Sequence, residues 1–240
     1  MNRTKQLTVA ELAMGELVVA GRLVDASNAT LFCELKLEDA PAEVRKVVYK
    51  PIAGERPLWD FPDGTLAGRE VAAYLLSEFA GFNLVPSTTM RDGPFGPGAV
   101  QEWVNVDPEV DVIAFTQSEA PPLRAMALFD FIINNTDRKF GHVLVDHEGA
   151  LYGCDHGVSF HREFKLRTVI WQFAGLDLDS AELAQIEKLL GGFDDLEKVL
   201  SPHINGEEIA ALRLRLENLR EERRFPYPNP NWPASPWPPV

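Results

Sequence analysis

The segment that decides the fold is residues 134–155, which read NNTDRKFGHVLVDHEGALYGCD. Within it, residues 143–146 and 150–153 are short, mainly apolar runs, and the three residues between them are His-Glu-Gly. A three-residue connection that contains glycine is typical of a turn between two antiparallel strands. The segment therefore predicts a β-hairpin that follows directly on a polar loop.

Three side chains that can bind a metal or accept a proton are expected at the open end of this hairpin. In the predicted register His142 faces Cys154, and opposed residues of an antiparallel pair lie about 5 Å apart at Cα. Asp155 follows one residue later, and Asp137 precedes the first strand. Two carboxylates and one imidazole at the same rim can hold a divalent ion and supply a catalytic base. The hairpin thus predicts a functional site.

The order of these residues resembles that of a known group of enzymes. Asp-Arg, a ligand five residues after the Asp, a hairpin and then Asp-x-Gly is similar to the catalytic and metal-binding segments of phosphatidylinositol 3- and 4-kinases and of related bacterial toxin kinases. The sequence looks most like the actinobacterial phosphatidylinositol 3/4-kinase-like family, from about residue 15 to about residue 190.

The resemblance implies a role for each residue of the motif. Asp137 would be the base that faces the acceptor hydroxyl, Arg138 would orient the loop by pairing with a carboxylate, and Asp155 would bind the metal on the ATP phosphates. His142 stands where the family normally has Asn. Because imidazole is a softer ligand than an amide oxygen, His142 would favour Mn²⁺ over Mg²⁺, or would leave the metal to Asp155.

The resemblance also implies which residues hold the nucleotide. Lys50 ends an apolar strand just before Pro51 and would contact the ATP phosphates. Its carboxylate partner would be Glu70 of the following helix, with Glu55 as the competing candidate. A polar turn between the first two strands would offer backbone amides to the phosphates, and the end of the fifth predicted strand, at residues 101–104, would bind adenine through its backbone. The residues predicted to bind the nucleotide are Ser27, Asn28, Thr30, Lys50, Glu70, Glu102, Trp103 and Val104.

The composition is that of a water-soluble globular protein, and the cytoplasm is the expected compartment. Hydrophobic residues make up 45% of the chain and charged residues 25%, and no apolar run approaches the roughly 18 residues of a membrane span. Cys33 and Cys154 are expected to be small buried hydrophobes in a reducing compartment. The net charge of −13 argues against a nucleic acid or a stable membrane association. A local basic patch would have to lie near residues 138–139 or 161–167.

The remaining patterns predict an α+β, two-lobed protein-kinase-like fold. Residues 1–104 are expected to form a nucleotide-binding lobe with an antiparallel sheet and one main helix. Residues 105–224 are expected to form a mainly helical catalytic lobe that contains the hairpin. The predicted strands of the first lobe are residues 16–24, 31–37, 47–51, 85–90 and 100–104, and the predicted helices are residues 8–14, 69–80, 122–134, 180–190 and 207–224.

Residues 225–240 differ in composition from the rest of the chain. Seven of these sixteen residues are Pro, interleaved with Tyr227, Trp232 and Trp237. Such a segment is predicted to be extended or disordered and to form no packed element. Because exposed tryptophan is costly, the tail is either loosely packed on the lobe or a docking or self-inhibitory segment with a protein partner.

The sequence thus predicts an atypical kinase that uses ATP and Mg²⁺ or Mn²⁺ to phosphorylate a hydroxyl of a protein or a small polar acceptor. The net charge makes a lipid acceptor a poor fit. Three alternatives stay open at this point. They are a pseudokinase that acts as a nucleotide-binding regulatory partner, a transferase that moves AMP from a flipped ATP, and an acidic scaffold that docks through its Pro/Trp-rich tail.

Overall fold

The computed structural model of the protein describes residues 6–23, 28–38 and 40–240, with the backbone alone for residues 40–42. Its main sheet has five antiparallel strands in the order β1-β2-β3-β5-β4. Among the described residues, none of the helices combines the length and the apolar character that a membrane crossing requires. The strands of the sheet are β1 (Glu16–Arg22), β2 (Leu31–Leu37), β3 (Ala40–Pro51), β4 (Thr88–Gly93) and β5 (Gly96–Glu102).

One face of this sheet forms a small apolar core. The alternation of a β-strand turns Cys33, Val47 and Tyr49 to this face, where the short helix α1 (Val9–Met14) covers them through Leu12. Lys50 follows Tyr49 and points to the opposite face. A helix on that side can therefore supply its ion-pair partner.

The helix on the opposite face is α2 (Leu66–Ala80), which begins three residues before the predicted start. The carboxylate of Glu55 accepts hydrogen bonds from the backbone N–H groups of Leu66 (3.1 Å) and Ala67 (2.8 Å). A residue distant in sequence thus satisfies the free N–H groups of the first turn, which local capping rules did not show. The same contacts occupy Glu55, the competing candidate for Lys50.

The rest of the chain is mainly helical and encloses the largest core. The predicted hairpin register is confirmed, since Val143 pairs with Gly153 and the N–H of Cys154 donates to the carbonyl of His142 at 3.1 Å. The elements of this region are α3 (Val112–Thr116), α4 (Pro121–Ile132), β6 (Val143–Val145), β7 (Leu151–Gly153), α5 (Ser180–Gly191), α6 (Phe193–Leu200) and α7 (Gly206–Glu222).

Several predicted boundaries are wrong. Strands β4 and β5 overlap the predicted residues 85–90 and 100–104 but extend toward each other, because the Gly/Pro-rich stretch belongs to the strands and not to a long turn. Gly98 permits this arrangement, since a Cβ there would lie 2.5 Å from the carbonyl oxygen of Lys50. The helices α3 and α6 were not predicted, and both are short.

The tail after residue 225 forms no helix or strand, as predicted, but specific hydrogen bonds anchor it. The carbonyl of Ala234 accepts from the N–H of Thr168 (3.0 Å) and from the indole of Trp171 (2.7 Å). The carbonyl of Pro239 accepts from the N–H of Phe140 (2.9 Å). The tail therefore packs on the rest of the chain, as the first alternative expected, but through specific hydrogen bonds and not loosely.

Arg69 of α2 connects this helix to α7 through a buried ion pair. Its guanidinium donates to Glu208 and to the carbonyl of Ser159 (2.7 Å), and only 1% of Arg69 is exposed. Glu208 also accepts from the N–H of Asn205 (2.9 Å) and so completes a capping box at the start of α7. One carboxylate therefore serves both the helix start and the contact between helices.

We expect Glu208→Ala to lower the free energy of unfolding by about 3–5 kcal/mol, because it leaves the buried charge of Arg69 without a partner. Chemical denaturation with a linear extrapolation measures this change. The neighbouring variant Glu207→Ala is the control, because Glu207 is exposed and pairs with the exposed Arg162. Equal stability of the two variants would contradict the assignment.

Candidate active site

The loop that carries Asp137 is held by the side chain of Arg138, which is fully buried. Its guanidinium donates to the carboxylate of Asp130 in α4, at 2.9 Å from Nε and 2.8 Å from Nη2. Nη1 donates to the carbonyls of His142 (3.0 Å) and Cys154 (3.1 Å). Arg138 therefore ties the helix, the loop and the open end of the hairpin together, and it is a positioning residue.

Asp130 and His156 complete this arrangement, although the sequence analysis gave neither a role. Nε2 of His156 lies 2.7 Å from Nη2 of Arg138 and accepts its hydrogen bond. Burial and the adjacent guanidinium hold the pKa of His156 well below its ordinary value, so the ring is neutral. Asp130 lies among apolar residues of a helix, where no local pattern marks it as a site residue.

Lys50, Glu70 and Asp155 form one cluster of charges. The ammonium of Lys50 donates to the buried carboxylate of Glu70 and to Oδ1 of Asp155 at 2.8 Å. Glu70 uses its other oxygen to accept from the N–H of His156 (3.0 Å). The cluster joins strand β3, helix α2 and the Asp-x-Gly segment.

The charges in this cluster shift each other's pKa values. Burial would lower the pKa of Lys50, but the carboxylates of Asp155 and Glu70 outweigh it and raise this pKa above its ordinary value. Lys50 in turn holds the pKa of Asp155 below its usual range. Burial raises the pKa of Glu70 although the ammonium opposes that shift. Asp155 is therefore ionised. Its side chain is exposed, whereas that of Glu70 is buried.

His142 completes the site on the other side of Asp155. Its Nδ1 lies 2.9 Å from the carbonyl of Asp137, so this nitrogen carries the proton and donates it. Nε2 then presents a lone pair toward Oδ2 of Asp155 at 3.4 Å. Burial lowers the pKa of His142, which keeps the ring neutral. Two lone-pair atoms that face each other in this way suit a shared cation.

The donor set fits a metal ion that arrives with a nucleotide. Among the described residues no group of three or more His, Cys, Asp or Glu side chains could hold a metal. Mg²⁺ is usually bound by one or two protein ligands, several waters and substrate phosphates. His142 and Asp155 supply two ligands, and this number agrees with such an ion.

The backbone of the site adopts uncommon conformations. Asn134, Asp155 and Phe160 have φ values of 51°, 60° and 63°, in the left-handed region that favours glycine. Each such residue costs of order 1–3 kcal/mol unless its surroundings fix it. The amide of Asn134 supplies part of this support by donating to the carbonyls of His161 (2.8 Å) and Glu163 (2.6 Å).

A cleft of about 490 Å³ lies beside the cluster. Of the predicted site residues, those that line it are Asn28, Thr30, Lys50, Glu70, Asp137 and Asp155. Ser27 lies outside the described residues. The cleft also contacts side chains to which the sequence analysis gave no role there, which are Arg56, Trp59, Asp60, Arg167 and Trp232.

The residues predicted to bind adenine lie away from the lining of this cleft. Glu102 accepts from the N–H of Leu7 (3.0 Å) and pairs with Arg45 at 3.0 Å. Trp103 packs edge-on against Phe32, with ring centroids 5.2 Å apart. The adenine contacts of Glu102, Trp103 and the adjacent Val104 stay a prediction.

We expect Lys50→Met to raise the pKa of Asp155 toward the ordinary aspartate value of about 3.9, because the ammonium is the largest cause of its lowering. Because the pKa of Asp155 is lower in the folded state than in the unfolded state, the ionised carboxylate stabilises the fold at pH values above about 3.9. This contribution is lost as the pH falls through the lowered pKa. Carbon-13 NMR titration of the carboxyl group measures the shift, with Lys198→Met as an exposed control. An Asp155 that titrates normally in the wild type would rule out the pairing.

Comparison with solved structures shows the fold. The structure of hydra Fam20 with sugar superposes with a TM-score of 0.60 at 14% sequence identity, over 89% of this chain and 87% of that chain. The Helicobacter pylori proinflammatory kinase CtkA gives a TM-score of 0.49 at 9% identity, over 89% of this chain and 94% of that chain. The predicted α+β, kinase-like fold class is confirmed.

Comparison with known protein sequences identifies a relative of this chain. No family model matches it, so the resemblance to phosphatidylinositol 3/4-kinase-like proteins stays a prediction. Protein Rv2133c of Mycobacterium tuberculosis (strain ATCC 25618 / H37Rv) is 43% identical, over 95% of this chain and 94% of that protein. On this identity and coverage, the chain belongs to the same family as Protein Rv2133c.

Proposed function

We propose that this protein is an atypical kinase that transfers the γ-phosphate of ATP to a hydroxyl of a protein or a small polar acceptor. The observation that carries the proposal is the convergence of Lys50, Glu70, Asp155 and Asp137 on one cleft in a kinase-like fold. The four residues come from β3, α2, the segment after the hairpin and the loop before it.

The nucleotide phosphates would bind between Lys50 and the turn at residues 28–30. Glu70 keeps the ammonium of Lys50 aimed at the cleft, since its own carboxylate is buried and fixed by the N–H of His156. The side chain of Asn28 accepts from the N–H of Arg56 (2.9 Å), which fixes the turn against the next segment. Thr30 is buried at the cleft wall.

Asp155 and His142 would hold the divalent ion. Oδ1 of Asp155 is engaged by Lys50, while Oδ2 faces Nε2 of His142, so the two remaining donor atoms already point at one place. Mg²⁺ or Mn²⁺ bound there supplies positive charge to the transferring phosphates.

Asp137 would accept the proton of the acceptor hydroxyl. Its side chain is 24% exposed and lines the cleft, and its carboxylate lies 3.3 Å from the ammonium of Lys139. The backbone on either side is fixed, because its N–H donates to Asn135 (3.0 Å) and its carbonyl accepts from His142. A carboxylate with a fixed backbone that lines the cleft supports this role as a general base.

We also propose that three consecutive regions of the chain have separate roles. Residues 1–104 would bind the nucleotide, residues 105–224 would supply the catalytic loop, and residues 225–240 would form an appended tail. The pairing of Lys50 with Asp155 supports these separate roles. The two residues are 105 positions apart in sequence, and each comes from one of the first two regions.

The first test is the thermal stability of the protein with ATP plus Mg²⁺ or Mn²⁺. A ligand that binds only the folded state adds about 2.7 kcal/mol at a hundredfold excess over its Kd. We expect this stabilisation to require the metal and to be lost in Asp155→Asn, while the exposed-site control Asp195→Asn retains it. Absence of any metal-dependent shift in the wild type would sink the proposal.

We expect Asp137→Asn to reduce phosphate transfer by about 10²–10⁴-fold, because the amide cannot accept the proton. Binding of ATP should be unchanged, since Asp137 does not hold the nucleotide. ATP labelled at the γ or the α position, followed into the product, measures the reaction. Transfer of the α label would show AMP transfer, and undiminished γ transfer in the variant would exclude Asp137 as the base.

We expect His142→Asn to shift the metal preference from Mn²⁺ toward Mg²⁺, because the amide oxygen is a harder ligand than imidazole. The ratio of ATP affinities with the two metals measures this preference in the wild type and the variant. His147→Asn is the matched control, since His147 is an exposed histidine of the hairpin turn. An unchanged ratio would mean that His142 is not a ligand.

A further inference from the structure

Nearly all charge that lines the cleft is paired within the protein. Five carboxylates contribute to its lining, and each has a cationic or an N–H partner. The pairs are Glu55 with the N–H groups of Leu66 and Ala67, Asp60 with Lys165, Glu70 and Asp155 with Lys50, and Asp137 with Lys139. The described lining of the cleft therefore has no carboxylate left over for a cationic substrate other than the metal.

Two arginines of the lining are the exception. In the described part of the chain, neither Arg56 nor Arg167 has a carboxylate within ion-pair distance. Nε of Arg167 donates to the carbonyl of Thr136 (2.6 Å), which ties the guanidinium to the residue before Asp137, and both Arg167 and Asp137 line the cleft. Its two terminal nitrogens have no acceptor among the described residues. A fixed guanidinium with free donors is suited to a carboxylate or a phosphate.

Arg167 lacks a carboxylate partner, unlike the other Lys and Arg residues of the two candidate basic patches. The described carboxylates neutralise every other Lys and Arg of residues 138–139 and 161–167. These pairs are Arg138 with Asp130, Lys139 with Asp137, Arg162 with Glu207, and Lys165 with Asp60. In a chain of net charge −13, an unpaired arginine at the cleft is a local site for an anion.

Two tryptophans also line the cleft, and one of them lies beside Arg167. The guanidinium of Arg167 lies 5.8 Å from the ring centre of Trp232, which belongs to the anchored tail. Trp59 is 85% exposed, and the ammonium of Lys165 lies 4.7 Å from its ring centre and 5.2 Å from that of Trp232. Two indole faces beside an anion site can pack against the carbon skeleton of a small molecule.

We propose that the acceptor is a small hydroxyl-bearing molecule with a carboxylate or phosphate group, and that Arg167 and Arg56 bind this anionic group. Its skeleton packs on Trp59 and Trp232, and its hydroxyl faces Asp137. The inference rests on the proposed kinase function. The acceptor oxygen forms a bond to the γ-phosphorus, the bond from that phosphorus to the β–γ bridging oxygen breaks, and ADP departs with the electron pair. The hydroxyl proton passes to Asp137.

The test measures anion binding by the intact chain in the presence of saturating ADP and Mg²⁺, so that the nucleotide site is filled. Inorganic phosphate and acetate are titrated separately at constant ionic strength, and the fluorescence of the cleft tryptophans is recorded. We expect a saturable change in the wild type and in the control Arg162→Gln. In Arg167→Gln the affinity should fall by about tenfold or more, as expected for loss of a charge-assisted pair.

Arg56→Gln provides a second variant, because the Arg56 side chain makes no hydrogen bond among the described residues and its loss should not disturb folding. It should also weaken anion binding. Saturation by phosphate alone would assign a phosphate-bearing acceptor, and saturation by acetate alone would assign a carboxylate. The inference is overturned if the wild type shows no saturable change, or if both arginine variants bind the anion as the wild type does.

The same titrations separate this inference from the proposed function. ADP binding that is intact in every variant, without Arg167-dependent anion binding, would remove the acceptor assignment and leave the kinase proposal standing. A wild type that fails to bind ADP would remove the kinase proposal and the acceptor assignment with it, and Arg167-dependent anion binding in that protein would then show an anion site alone.

Discussion

The buried ion pair between Arg138 and Asp130 is the interaction on which the site depends. Taking two charges out of water costs several kcal/mol per ion, and only close geometry with further hydrogen bonds offsets that cost. Arg138 meets this condition through the carbonyls of His142 and Cys154 and through the ring of His156. Those contacts also set the distance between the loop and the end of the hairpin. The requirement that stabilises a buried charge therefore also brings the candidate base and the candidate metal ligands together.

Most of the charged groups at the cleft are also paired within the protein. The protein is strongly acidic, yet the carboxylates at the cleft are held by ammonium groups or by backbone N–H groups. Lys50 neutralises two of them at once and leaves one oxygen of Asp155 directed at His142. An acidic chain can in this way present a surface that accepts polyanions, although its net charge alone would repel them.

Local patterns predicted the parts of the fold that local forces determine. The hairpin register followed from two short apolar runs and a three-residue turn, and the helices predicted at residues 8–14 and 207–224 begin within one residue of the observed starts. Long-range contacts were not accessible in this way. Asp130 looks like an ordinary helix residue until Arg138 is placed beside it, and Arg69 lies 139 residues from Glu208. Unpaired Arg167 could not be recognised either, since identifying it required the partners of every neighbouring charge.

Helix α2 is held at two neighbouring positions that face different parts of the molecule. Arg69 binds Glu208 and the carbonyl of Ser159, and Glu70 binds Lys50 and the N–H of His156. Displacing the helix would break two buried ion pairs together, at a cost far above thermal energy. The position of α2 is therefore fixed from the cleft and from α7 at the same time, so a shift of this helix cannot occur without changes at both.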